Sequence, residues 1–156
     1  MSQTAELTEM LEAQADQIVD DAVESLRRSH LRHYEAAGQE YSQETLRRLF
    51  DIVIDCVRSR RLGPILAYFE QVAQRRYDGG YGLHEVQTAV NVLEEAIWRN
   101  VLEHVSAGNR AEALTLISTV LGKGKDKLAL RYVELATKRK VPPLDLSGYF
   151  KGELGV

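Results

Sequence analysis

The chain has 156 residues, a length typical of one domain. Its 20 Lys and Arg residues against 23 Asp and Glu residues give a formal net charge of −3, which argues against a large surface for duplex nucleic acid. The single cysteine excludes an internal disulfide and a cysteine zinc site, and no uncharged segment approaches the ~20 residues that cross a bilayer. The acidic start lacks the features of a signal peptide, so we expect a cytoplasmic protein without nucleic-acid or membrane partners.

The first predicted helix covers roughly Thr4 to Ala37. Apolar residues recur along it at helical spacing, acidic residues dominate its first half and arginines its second half, as the helix dipole favours. A break near Ser29 and His30 fits this pattern. Gly38 follows as a typical helix terminator.

A second helix is predicted from a cap at Ser42 to Arg61, with its apolar stripe built around Phe50. Gly63 and Pro64 separate it from a third helix, because proline is tolerated in the first turn. The stripe of the third helix contains four residues at helical spacing: Ile65, Phe69, Val72 and Arg76.

The segment Asp78–Gly82 contains three glycines and predicts a turn. A fourth helix starts at about Leu83, with Gly82 as its cap and Glu85 three residues later. Its apolar stripe is wide: Val86, Ala89, Val90, Leu93, Ile97, Val101 and Val105. Trp98 and Leu102 broaden it further, so we expect this helix to contact more than one neighbour.

Asn109 resembles the cap of a fifth helix, which extends to Leu135. Gly122 and Gly124 interrupt its middle, where glycine costs ~1 kcal/mol relative to alanine, and predict a kink or short turn. Together the patterns predict an all-α, single-domain bundle of five to six helices over residues 1–141. Residues 142–156, which begin with two prolines, are expected to form an extended or irregular tail.

No acid, base and nucleophile set is recognisable, so we predict that the protein is not an enzyme and holds no metal or cofactor. Metal or haem ligation by the histidines remains an alternative to a surface position: His30, His33, His84 and His104. His84 beside Glu85 also admits a phosphoacceptor interpretation. Cys56 is more typical of a buried residue than of a reactive thiol. The lysine run Gly122–Lys127 is more typical of a solvated patch than of an anion site.

A candidate ligand pocket is suggested by aromatic residues near the glycine-rich turn. Tyr77 and Tyr81 flank the turn, and Phe69 and Trp98 lie on the adjoining helices. Ordinary aromatic packing at a helix junction is the favoured alternative.

The segment from Arg76 to Ala89 reads Arg-Tyr-x-x-Gly-Tyr-x-Leu-x-Glu-Val-x-x-Ala, and Leu-Glu-x-Ala-Ile-Trp follows over residues 93–98. This pattern resembles the helical N-terminal domain of RsbT co-antagonist proteins, in particular the rsbRD type. The resemblance covers about residues 62–105. Its motif turn contains Gly80, Leu83 and Glu85, none of which is catalytic.

The resemblance implies a non-enzymatic sensory domain in stress-response signalling, all-helical and related in shape to globins that have lost haem. Such domains dimerise and usually precede an output domain, so we expect a homodimer and a regulatory kinase, phosphatase or anti-sigma-type partner. Both a stand-alone signalling partner and a fragment of a longer protein are consistent with this sequence. The alternative function is a globin-like sensor that binds haem or another small ligand between helices.

Overall fold

The computed structural model describes residues 3–138, which contain seven α-helices and no strand. The helices are α1 (Gln3–Ala13), α2 (Ala15–Arg28), α3 (Arg32–Ala37), α4 (Gln39–Ser59), α5 (Gly63–Asp78), α6 (Leu83–His104) and α7 (Arg110–Thr137). A short 3₁₀ helix, Ala107–Asn109, precedes α7. The all-α prediction is confirmed, whereas the predicted count of five to six helices is too low. The predicted tail lies outside the described residues.

The count is too low because the first predicted helix is three helices. The predicted break at His30 is present, and this residue adopts a left-handed φ of 51°. The break at Gln14 leaves the backbone bonds on both sides intact: its N–H donates to Met10 O and its carbonyl accepts from Ile18 N–H, both at 2.9 Å. The apolar stripe therefore continues across it, and periodicity does not reveal it.

Ser42 does not cap the second predicted helix, which corresponds to α4. The helix begins three residues earlier at Gln39, because Gly38 adopts a φ of 94° and turns the chain directly from α3 into α4. The Ser42 N–H already donates to the Gly38 carbonyl at 3.2 Å as part of the first helical turn. Ser42 therefore lies within the helix, and its side chain is buried.

The fifth predicted helix corresponds to α7, which is one continuous helix through Gly122 and Gly124, so a short turn there is wrong and a kink stays a prediction. A Cβ on Gly124 would lie 2.6 Å from Cε2 of Phe69, so glycine here allows α5 and α7 to approach closely. Asn109 makes no side-chain cap bond. Its amide instead donates to Glu6 of α1, which also accepts the Ser106 N–H at 2.6 Å.

The core is formed by all the long helices, with the most extensive pairings between α5 and α7 and between α2 and α6. Its largest fully buried side chains include Ile18, Phe50, Phe69, Leu93, Ile117 and Leu128. This packing fixes the turn between α5 and α6 against α3 and α7. Over residues 3–138, no helix is both long and apolar enough to cross a membrane. The likeness to globins stays a prediction.

Candidate functional site

The turn between α5 and α6 is the segment that carries the family motif. Gly80 adopts a φ of 83°, a left-handed conformation that favours glycine, and its N–H donates to the Tyr77 carbonyl at 3.0 Å. The Tyr81 N–H donates to the Arg76 carbonyl at 2.9 Å. Gly82 has extended backbone angles that any residue adopts, so the turn requires glycine for its backbone conformation at Gly80 and not at Gly82.

Glu85 anchors this turn to α3. Its Oε2 accepts the Gly82 N–H at 2.9 Å, as the predicted cap implies, and lies 2.7 Å from Nδ1 of His33. Its Oε1 accepts the His33 backbone N–H at 2.9 Å. Burial opposes ionisation of this carboxyl, but these hydrogen bonds outweigh it and hold the pKa of Glu85 below its usual value. The motif glutamate thus joins the first turns of α3 and α6.

Aromatic rings surround the same turn. The ring of Tyr81 lies edge-on against Tyr34, with centroids 5.0 Å apart, and 5.0 Å from the ring of His33. The Tyr132 hydroxyl of α7 donates to the Tyr81 carbonyl at 2.8 Å, and its ring contacts Tyr77 at 5.6 Å. The turn is therefore held by α3 on one side and α7 on the other.

Arg76 is the functional candidate that the sequence did not single out. It is only 8% exposed, and its guanidinium lies 5.1 Å from the ring centroid of Tyr41 and 5.4 Å from that of Tyr81. Its Nη2 contacts Oγ1 of Thr45 at 3.5 Å, whereas its Nε has no acceptor among the described residues. The available signal was an arginine within the apolar stripe of the third predicted helix.

Arg76 lines a groove of about 710 Å³ between α4 and α5, which we call the α4–α5 groove. Its lining is rich in arginine and tyrosine and also contains two carboxylates. The residues are Tyr41, Gln43, Glu44, Thr45, Arg47, Arg48, Asp51, Tyr68, Arg75 and Arg76. This volume is within the range typical of small-molecule sites.

The predicted pocket residues lie in different surroundings. Tyr77 and Tyr81 meet around Tyr132, as described above. Phe69 is 1% exposed in the core, and Trp98 is 40% exposed on the outer side of α6. Of the motif residues, Leu83 is partly buried against the core. The structure thus brings together two of the four aromatic residues, and a role for any of them in ligand binding stays a prediction.

The histidines do not support the haem alternative. His30 is exposed and lies 2.7 Å from Glu35, and His33 contacts Glu85. His84 and His104 are exposed as well. Across residues 3–138, no group of three or more His, Cys, Asp or Glu side chains is arranged to hold a metal ion.

Cys56 is a buried residue, and two lysines of the run Gly122–Lys127 form ion pairs between helices. Cys56 is buried, and burial raises the pKa of its thiol, which disfavours the reactive thiolate. Lys125 lies 3.0 Å from Glu94 of α6, and Lys127 lies 3.0 Å from Glu70 of α5. These two lysines connect neighbouring helices instead of surrounding a shared anion.

A surface on the outer side of α6 presents two exposed large apolar side chains among charged residues. It consists of Glu94, Glu95, Trp98, Arg99 and Leu102, and we call it the Trp98 face. Trp98 is 40% exposed and Leu102 52% exposed, whereas the inner stripe of the same helix is buried. These are the two residues that broaden the stripe in the sequence.

Comparisons with known proteins agree with the motif. No curated protein and no solved structure matches the chain. One family model, described as the RsbT co-antagonist protein rsbRD N-terminal domain, matches residues 6–138, which are nearly all the residues that the structure describes. The chain therefore belongs to the family of RsbT co-antagonist protein rsbRD N-terminal domains.

Proposed function

We propose that this chain is a non-enzymatic sensory domain of a stress-response pathway, which forms a homodimer through α6 and contacts a regulatory partner. RsbR-type proteins work with the RsbT kinase in stress signalling, so a kinase of that type is the first partner to consider. A phosphatase or an anti-sigma-type protein is the alternative partner. The observation that carries the proposal is the Trp98 face.

The Trp98 face contains apolar side chains that the core of one chain does not use. Burying a large apolar side chain contributes ~1.5–3 kcal/mol, so covering Trp98 and Leu102 in two copies favours association. The inner side of α6 already packs against α2 and α7. A second copy therefore has access to the outer side.

The charges of this face suit a two-fold arrangement. Glu95 and Arg99 lie 4.0 Å apart in one chain, at the outer limit of an ion pair. If two α6 helices pack antiparallel about an axis at the level of Ile97, Glu95 of one copy meets Arg99 of the other. A two-fold interface uses the same patch twice and must be self-complementary in this way.

Light scattering after size-exclusion chromatography tests the homodimer. At micromolar concentration we expect twice the chain mass of 17.6 kDa for the unmodified protein. Trp98→Glu should give a monomer with unchanged helical content by circular dichroism. A mass of 17.6 kDa for the unmodified protein at every concentration contradicts the proposal.

Val133→Glu is the matched control because Val133 is 45% exposed, close to the exposure of Trp98. Val133 is far from the Trp98 face. Its neighbour Tyr132 contacts the turn that precedes α6, and Trp98 lies about 22 Å from the start of α6. The control should remain dimeric. Dissociation by Val133→Glu combined with an intact Trp98→Glu dimer places the interface elsewhere and refutes the role of the Trp98 face.

A further inference from the structure

Arg76 carries a buried positive charge that the described residues do not neutralise. Within residues 3–138 its guanidinium contacts rings and neutral oxygens, and no ion pair involves it. Its Nε–H has no acceptor among the residues that the structure describes. Arginines buried to this extent are normally paired with an anion, because removal of the charge from water costs several kcal/mol.

The tyrosines around Arg76 do not supply that anion. Burial raises the pKa of Tyr34 and Tyr68 above the usual value, and that of Tyr81 to about 12. These phenols are therefore neutral at pH 7. The rings of Tyr41 and Tyr81 attract the cation by ~0.5–2 kcal/mol each but leave its charge uncompensated.

The rest of the α4–α5 groove adds positive charge. Arg47 is neutralised by Asp16 at 2.9 Å and Asp51 at 3.2 Å. Arg48 and Arg75 are exposed at the rim of the groove.

Glu44 is the other carboxylate in the lining, and it is exposed at the surface. The groove lining thus holds four arginines against two carboxylates, Glu44 and Asp51, and one positive charge remains in excess when Asp16 is counted as well. This local excess of positive charge contrasts with the formal net charge of −3 for the chain.

We propose that the α4–α5 groove binds a small molecule that carries a phosphate or carboxylate group, with that group on Arg76. A guanidinium carries adjacent N–H donors in a fixed planar arrangement, and a pair of them matches two oxygens of such a group. Arg48 and Arg75 attract the anion at the rim, and the rings of Tyr41 and Tyr68 provide an apolar wall. The site does not depend on the homodimer proposed above.

Isothermal titration calorimetry on the chain tests this site, with inorganic phosphate and succinate as separate probes at an ionic strength matched with chloride. We expect saturable binding of at least one probe with one site per chain. Binding of phosphate alone identifies a phosphorylated ligand, and binding of succinate alone identifies a carboxylic acid. Failure of both probes to saturate at tens of millimolar overturns the proposal.

Two variants assign the binding to the groove. Arg48→Gln combined with Arg75→Gln changes exposed residues only and should weaken binding at least tenfold. Arg76→Lys retains the charge but removes the paired N–H donors, and should weaken binding by a similar factor. If Arg76→Lys loses its helical content, the exposed double variant decides the question.

The matched control is Arg28→Gln combined with Arg61→Gln, which changes the net charge equally at exposed positions outside both the groove and the Trp98 face. It should alter the affinity less than twofold. Equal losses in the control and in the groove double variant indicate non-specific attraction and refute the site.

Discussion

Gly124→Ala should lower the free energy of unfolding relative to Gly122→Ala, although both glycines lie on α7. A Cβ on Gly124 would lie 2.6 Å from Cε2 of Phe69 and 3.0 Å from Cγ1 of Ile65, both of which are fully buried. A Cβ on Gly122 meets no atom within 4 Å. The two positions therefore differ in steric surroundings but share the helix and the chemical change.

The magnitudes follow from two opposing effects. Alanine is more favourable than glycine inside a helix by ~1 kcal/mol, so Gly122→Ala should raise the free energy of unfolding by up to that amount. Overpacking in a core costs ~1–3 kcal/mol, so Gly124→Ala should be destabilised by ~0–2 kcal/mol after the same gain. The difference between the two variants isolates the steric cost at ~1–3 kcal/mol.

Urea unfolding followed by circular dichroism measures both variants against the unmodified chain. A double-mutant cycle with Phe69→Leu identifies the atom that causes the cost, because the smaller side chain should reduce the effect of Gly124→Ala by at least ~0.5 kcal/mol. If Gly124→Ala is as stable as Gly122→Ala, the close approach of α5 and α7 does not require glycine. The explanation of the uninterrupted α7 is then wrong.

Two further predictions concern the turn between α5 and α6. Gly80→Ala should lower the free energy of unfolding by ~1–2 kcal/mol because of the positive φ at Gly80, while Gly82→Ala should change it by less, and urea unfolding compares the two. Above pH 4.5, Glu85→Gln should lower the free energy of unfolding by ~1–3 kcal/mol, since the hydrogen bonds to the charged carboxylate are lost. Glu103→Gln is the control and should change it little, because Glu103 is exposed. The pKa of Glu85 is held below 4.5, so the difference between Glu85→Gln and the unmodified chain should shrink as the pH falls below that value, and a pH-independent difference contradicts this role.

Helix ends that coincide with glycine are predictable from the sequence, because glycine either adopts positive φ or weakens a helix locally. Gly38, Gly63 and Gly82 each stand at a helix boundary in the structure. This reasoning fails at Gly124, which lies inside α7 and allows α5, a helix remote in the sequence, to pack closely against it. It also misses Gln14, where backbone bonds and periodicity continue through the break.

The candidate site was only partly predictable for a related reason. Glu85 acts within its own turn as the predicted cap partner of Gly82, so local spacing is sufficient to find it. Arg76 depends on residues that precede it by about 30 positions or more, including Tyr34 and Tyr41, and no local pattern shows that these residues approach. Periodicity places Arg76 on the inner face of its helix, but only tertiary packing reveals a buried charge without a carboxylate.

The turn between α5 and α6 connects the two proposed functions. Arg76 lines the α4–α5 groove, and its backbone carbonyl accepts the Tyr81 N–H at the start of the turn. Glu85 then fixes the first turn of α6, the helix that carries the Trp98 face. By linkage, an anion that binds monomer and dimer equally leaves the dimer unchanged, however tightly it binds. For the groove to report on the dimer, the anion must therefore bind the dimer and the monomer with different affinities, and the turn that joins Arg76 to α6 is a direct route for that coupling.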